Sequence, residues 1–376
     1  MWVEMHIVFR TDASIQIGTG HVMRCLTLAE VLRERGAQCS FICRNHPGNL
    51  IDLIRQRGFL VHVLQYDRDW MVQENTPSHA SWLGADWQAD AEESKVGAGE
   101  TAKDWLIVDH YALDSRWEHT MRAHCRYIMV IDDLADRMHD CDLLLDQNLG
   151  RNAKDYDGLL KSGTAILIGP QYALLRPEFA ALRPQSLARR QNTPQLRNLL
   201  VTMGGVDNGN ATGQVLTALQ HCTLPTDVRV TVVMGLHAPW LAQVQAQAKQ
   251  MPWHTVVMVG VDNMAQLMVE SDLAIGAAGS TSWERCCLGL ATIQIALAQN
   301  QLTIAHALSD AGATLMLQGE CIAQKLPTLI NTITSTSKLY SVSVASSVVT
   351  LGKGAALVSD FIKKAKEVYE NYPVMQ

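Results

Sequence analysis

Short apolar runs alternate with amphipathic segments along this chain, the pattern breaks off, and it begins again near residue 198. Residues 5–10 read as a strand, the turn-rich stretch through Gly18 and Gly20 as a loop, and the apolar-periodic residues 22–32 as a helix ending before Gly36. The same order returns over 38–44, 49–56 and 59–64, and again over 105–109, 115–124, 126–131 and 143–146. Beyond the break, strands are expected at 198–203, 228–234, 254–259, 272–275 and 292–297. Helices are expected at 211–219, 264–270, 280–289 and 302–311. Alternation of this kind builds parallel sheets with helices on both faces, so the fold class is α/β. The restart makes it two Rossmann-like domains facing each other across a cleft, with ligands expected at the carboxyl ends of the strands.

The length of 376 residues fits two cores, since a single core stops growing well below that size. The boundaries read from the pattern are an N-terminal domain over 1–175, a linker over 176–196, a second domain over 197–355 and a C-terminal helix over 356–376. The linker rests on Pro170, Pro177, Pro184 and Pro194 with Arg183, Arg189 and Arg190, a composition expected neither to continue a helix nor to join a sheet. Residues 66–101, carrying Trp70, Trp82 and Trp87 among polar residues, read as a long loop with local helix.

Charge removes several partners. A net charge of -6 with no Lys/Arg block argues against nucleic acid, and no run approaches the length of a membrane span, so a cytoplasmic enzyme without stable membrane association is expected. The nine cysteines are scattered, and Cys39 and Cys43 lack a matching pair at zinc spacing, which suits reduced core residues and neither disulfides nor metal.

Two loops carry the chemistry. Arg10 through His21 joins the first strand to its helix, where free N–H groups and the helix dipole favour anions. Gly18-x-Gly20 is followed by Met23 where a dinucleotide fingerprint has its third glycine, so a nicotinamide cofactor is not indicated, and no other cofactor is called for. His21 falls in the first helical turn, where the positive helix end argues for a neutral ring able to accept a proton; packing or capping the turn is the competing reading. Asp12 reads either as the group that orients that ring or binds a substrate hydroxyl, or as a turn-forming carboxylate.

The second loop, Gly276 through Glu284, joins a strand to a helix through small residues that let a ligand approach the backbone. Gly279, Ser280 and Thr281 are suited to a diphosphate and Glu284 to both hydroxyls of a ribose; a Ser/Thr followed three residues later by Glu also reads as a plain capping box. Gly204 and Gly205, after the opening strand of the same half, offer further amides on that side. The pairs Asp132-Asp133 and Asp140-x-Asp142 are read as turn carboxylates, so no metal site is assigned.

The string from Arg10 through His21 to Arg24, the loop from Met203 to Asn208, and Gly276-x-x-Gly279-Ser280-Thr281-Ser282-Trp283-Glu284 with Gln299-Asn300-Gln301 closely resemble the UDP-2,4-diacetamido-2,4,6-trideoxy-β-L-altropyranose hydrolases of pseudaminic acid biosynthesis. The resemblance implies a GT-B type fold and hydrolysis of the UDP-sugar, with inversion and without a metal. It makes His21, with Asp12, catalytic, and gives the substrate-binding set as Arg10, Gly20, Arg24, Asp109, His110, Tyr111, Gly204, Gly205, Gly279, Ser280, Thr281, Glu284, Gln299 and Asn300. Asp109, His110 and Tyr111 would form the sugar-side wall. The insert at 66–101 and the tail after Leu326 depart from the family pattern. A GT-B glycosyltransferase using a UDP-sugar donor and a non-catalytic UDP-sugar binding module remain as alternatives, and neither the oligomeric state nor the exact sugar is legible.

Overall fold

The computed structural model describes residues 5–67, 70, 79–99, 101–191 and 195–371, with side chains as far as residue 365. The chain divides into two compact units, one formed by Met1–Leu174 with Gly354–Gln376 and the other by Leu175–Lys353.

The first unit is a seven-stranded sheet of β1 (Met5–Thr11), β2 (Ala37–Arg44), β3 (Leu60–Leu64), β4 (Lys103–Asp109), β5 (Cys125–Ile131), β6 (Leu143–Asp146) and β7 (Ala165–Ile168). Its order is β3-β2-β1-β4-β5-β6-β7, and every pairing is parallel. Residues 105–108 are buried without interruption because both faces are covered. Alternate side chains serve opposite faces: Phe9 and Ile107 pack with Leu26 and Leu32, Val8 and Val108 with Trp117 and Met121. The second unit repeats the scheme with β8 (Asn198–Thr202), β9 (Arg229–Met234), β10 (His254–Val259), β11 (Leu273–Ala277), β12 (Ala291–Ala296) and β13 (Leu315–Gln318), ordered β10-β9-β8-β11-β12-β13.

In both sheets the strand order reverses direction once, between β1 and β4 and between β8 and β11. A doubly wound sheet leaves its ligand crevice at that point, where helices turn to opposite faces. The loops singled out in the sequence at 10–21, 204–205 and 276–284 lie after β1, β8 and β11, and Asp109 to Tyr111 close and follow β4.

The strands and helices expected from periodicity are present, and the sheets gain the short strands β7 and β13. The expected linker is corrected: Pro177–Gln191 is a helix with Pro177 at its start, where a missing N–H costs nothing. Its arginines bind carbonyls left over at helix ends. Arg183 donates to Cys287 and Ser347, and Arg190 to Met268, Ser271 and Gly289. Pro194 lies outside the described residues, as do 68–69, 71–78 and 100 of the insert. The described part of the insert carries the helix Trp87–Ala98, started by Asp86, whose carboxylate accepts the Gln88 N–H at 2.8 Å. The final helix, Gly354–Asn371, returns to the first unit, burying Ala355, Val358 and Ile362 in its core. All nine cysteines are free thiols.

Candidate active site

His21 sits in the first turn of the helix Gly20–Glu34, which begins after β1 with no capping side chain. Its Nδ1 is 2.6 Å from Oδ1 of Asp109, the last residue of β4. Arg24, one turn further along the helix, clasps the same carboxylate with Nε at 2.6 Å from Oδ2 and Nη2 at 2.7 Å from Oδ1. Burial alone would raise the Asp109 carboxyl; the Arg24 guanidinium and the His21 ring outweigh it and hold the group well below the usual carboxylate range. An ionised carboxylate only accepts, so Nδ1 carries the proton and Nε2 is left with the lone pair in the neutral ring. Arg24 Nη2 also approaches Nδ1, at 3.4 Å, but the 2.6 Å contact decides the tautomer. A second shared carboxylate extends the network, with Asp133 Oδ2 taking Arg24 Nη1 at 2.7 Å and the Tyr111 hydroxyl at 2.8 Å.

An aromatic group surrounds the imidazole. The Tyr111 ring meets it edge-on at 4.6 Å, and Trp82, from the insert, stacks on Tyr111 at 5.6 Å while His79 closes against both.

Several sequence assignments are corrected here. Asp12 is fully buried and does not face His21: Oδ1 accepts the Arg44 N–H at 2.6 Å and pairs with Arg10 at 2.8 Å, while Oδ2 faces His110 and His46 at 3.3 and 3.5 Å. Those last two are close charge contacts without hydrogen-bond geometry. Arg10 is fully buried too, bound through Nε and Nη2 to Asp90 of the insert helix, which also takes Arg44 at 2.8 Å and the Trp117 indole at 3.0 Å. These groups are spent on one another and offer no open face to a sugar. Of the expected sugar wall, Asp109 and the Tyr111 ring both contact His21, Arg24 is clasped on Asp109, and His110 is buried against Asp12. Gly20 opens the helix. Asp132 is ion-paired to Arg137 at 2.8 Å, and Asp140 and Asp142 to Arg122 at 3.0 and 2.5 Å. Among the described residues no group of three or more His, Cys, Asp or Glu is placed to hold a metal ion.

In the second unit the loop after β11 reaches the helix Thr281–Cys287. The helix is preceded by Ser280, which makes no side-chain capping bond and leaves Trp283, not Glu284, at the third helical position, so the capping-box reading fails, and the amides of Gly279, Ser280 and Thr281 donate to nothing among the described residues. A side chain placed at Gly279 would meet nothing within 4 Å, so the backbone is open to a ligand. Glu284 is partly exposed one turn on, and burial pushes it up to about 6 against the pull of Arg176 and Arg285. Gln299 and Asn300 are exposed on a turn after β12. Gly204, at φ +89°, is exposed after β8, and a Cβ at Gly235 would fall on the Gly205 carbonyl, so the loops after β8 and β9 touch. The helix that follows is not open to an anion: the Asp207 carboxylate takes the Ala211 and Thr212 amides at 2.8 and 2.9 Å.

Residues 199–359 match the model of the glycosyltransferase family 28 C-terminal domain. That match takes in most of the second unit and runs into the final helix. The loop after β11 and Glu284 fall within the match. The chain is also 27% identical over 310 residues to UDP-2,4-diacetamido-2,4,6-trideoxy-beta-L-altropyranose hydrolase of Campylobacter jejuni, covering 82% of this chain and 97% of that one. It is 25% identical over 304 residues to the uncharacterized protein MJ1062 of Methanocaldococcus jannaschii, taking in 79% of this chain but only 56% of that relative. The family resemblance read from the motifs therefore holds over most of the chain. Among solved structures, Acinetobacter baumannii MurG superposes with a TM-score of 0.69 at 16% identity over 96% of this chain and 99% of its own. CalG4, the calicheamicin glycosyltransferase, gives 0.61 at 13% with both chains fully covered. The fold is thus of the GT-B type. No helix among the described residues is long and apolar enough to cross a membrane.

Sequence reasoning missed Asp90 and Arg285, read Asp133 as a turn carboxylate only, and gave Trp82 no role beyond the insert. Asp133 had a legible signal, since Asp12, Asp109, Asp132 and Asp146 each close or follow a strand of one sheet at its carboxyl edge.

Proposed function

We propose that the chain hydrolyses a UDP-linked 2,4-diacetamido-trideoxy sugar to UDP and the free sugar, by attack of water on the anomeric carbon with inversion. Water loses its proton to Nε2 of His21 as its oxygen bonds to the anomeric carbon; the bond from that carbon to the UDP oxygen breaks, and its electron pair leaves with UDP. The observation that carries this is the 2.6 Å bond from Nδ1 to Asp109, which reserves the other nitrogen for a proton. The free amides at Gly279 to Thr281 suit the developing diphosphate charge, and Glu284 suits the ribose hydroxyls. The Campylobacter relative supports the sugar and the reaction.

Transfer to an acceptor is the competing reading, supported by the match to the glycosyltransferase family 28 C-terminal domain and by the likeness to the glycosyltransferase CalG4. Proton NMR of the purified protein with the UDP-linked sugar in EDTA separates the two. Release of the free inverted sugar, abolished in His21→Ala, is expected. Spectra unchanged without an acceptor but altered when one is added would overturn hydrolysis in favour of transfer.

A further inference from the structure

Arg285 is a buried cation with no ion-pair contact among the described residues; the adjoining Glu284 carboxylate acts on it only through space. Arg285 is 1% exposed, whereas Arg10, Arg24 and Arg44 of the first unit each hold a carboxylate at 2.6–2.8 Å. Nη2 donates to the Ala277 carbonyl at 2.8 Å and the Ser282 hydroxyl at 3.1 Å, while Nε and Nη1 have no partner. Arg190, the other deeply buried guanidinium of this unit, spends itself on backbone carbonyls. The fork is held from the far side as well: Ser282 accepts from Gln294 Nε2 at 2.7 Å, and Gln294 accepts from Thr314 at 3.2 Å. Nη1 lies beneath Gly276, only 2.5 Å from where a Cβ there would sit.

Burying a guanidinium with two empty donors is costly unless a negative charge comes to it. Burial pushes Arg285 down to about 10, so it stays cationic at neutral pH. Gly276 and Ala277, which it touches, lead directly into the loop whose amides at 279–281 are also empty.

We propose that Arg285 places a fixed positive charge at the end of β11, beneath Gly276 and Ala277 where the chain enters the loop to Thr281, and thereby selects a ligand that is anionic there, the diphosphate over the bare nucleoside. The inference rests on the reading that this loop holds UDP. Arg285 is a positioning residue acting through the loop, and its signature is a preference for charge.

Calorimetric titration with UDP and with uridine reads that preference. Arg285→Met is expected to weaken UDP about tenfold or more and uridine by less than about twofold, and Arg285→Lys, which keeps the charge, to restore most of the difference. Gly276→Ala, which pushes the guanidinium aside, is expected to give the same selective loss and covers the case in which Arg285→Met does not fold. Equal losses for both ligands, or unchanged UDP affinity in both variants, would overturn the proposal. Wild-type protein that binds no UDP would instead sink the reading of the loop.

Discussion

Asp109 fixes one proton, and much of the candidate chemistry depends on where that proton sits. In Asp109→Asn the amide would donate towards Nδ1 of His21 and force the proton onto Nε2, removing the acceptor. Sugar release should then fall by up to roughly four orders of magnitude with the fold retained, a loss expected in kcat more than KM. Circular dichroism beside the rate measurement checks it, and a variant within tenfold of wild type would return the base to another group. If Glu284 holds the ribose as proposed, it sets a pH limit on binding. Burial raises it to about 6, so it gains a proton as pH falls through that value and loses its capacity to accept from two hydroxyls. UDP affinity should decline below that point in the wild type and decline less in Glu284→Gln; parallel curves from titrations across this range would remove Glu284 from the site.

At the scale of elements, Asp90 ties the insert helix Trp87–Ala98 to the ends of β1 and β2 through Arg10 and Arg44. Removing one partner of a buried pair leaves uncompensated charge, so Asp90→Ala should destabilise the first unit by about 3–5 kcal/mol, read from the denaturant midpoint. A loss below about 1 kcal/mol would make the insert peripheral. The strand and helix pattern was legible because apolar period and Gly punctuation act locally, and the bounds 211–219, 254–259 and 264–270 match to the residue. The helix Pro177–Gln191 was not legible, because its arginines find carbonyls more than 75 residues away along the chain. The same limit applied to the site. His21 and the loop at 276–284 are marked by their own neighbours in sequence, whereas the roles of Arg10, Asp12 and Arg24 depend on Asp90, His110 and Asp109, which only the sheet order brings to them.

Across the whole molecule, stability should track Asp146. Its Oδ2 is 2.9 Å from the Tyr156 hydroxyl, which also reaches Asp132 at 3.1 Å. One phenolic proton cannot serve two carboxylates, and Asp132 is held low, its burial outweighed by Arg137 and His139, so Asp146 brings the second proton. Burial and Asp133 push Asp146 up to about 7. A folded-state value above the unfolded one gives stability that is full at low pH and lost as pH rises through about 7. Asp146→Asn, which mimics the protonated form, should flatten that decline in thermal unfolding; an unaltered slope would assign it elsewhere. Deleting residues 354–376 removes Ala355, Val358 and Ile362 from the first core and should unfold the first unit before the second, as hydrogen exchange would show.

That returning helix also sets a timetable. The second unit is one uninterrupted stretch and can close on its own core as soon as Lys353 has left the ribosome. Residues up to Leu174 of the first unit are made ahead of it, yet that unit lacks part of one sheet face until Ala355, Val358 and Ile362 arrive. The half that carries His21 is therefore completed after the second unit, and its apolar face stays unsealed while the 179 residues of that unit are made.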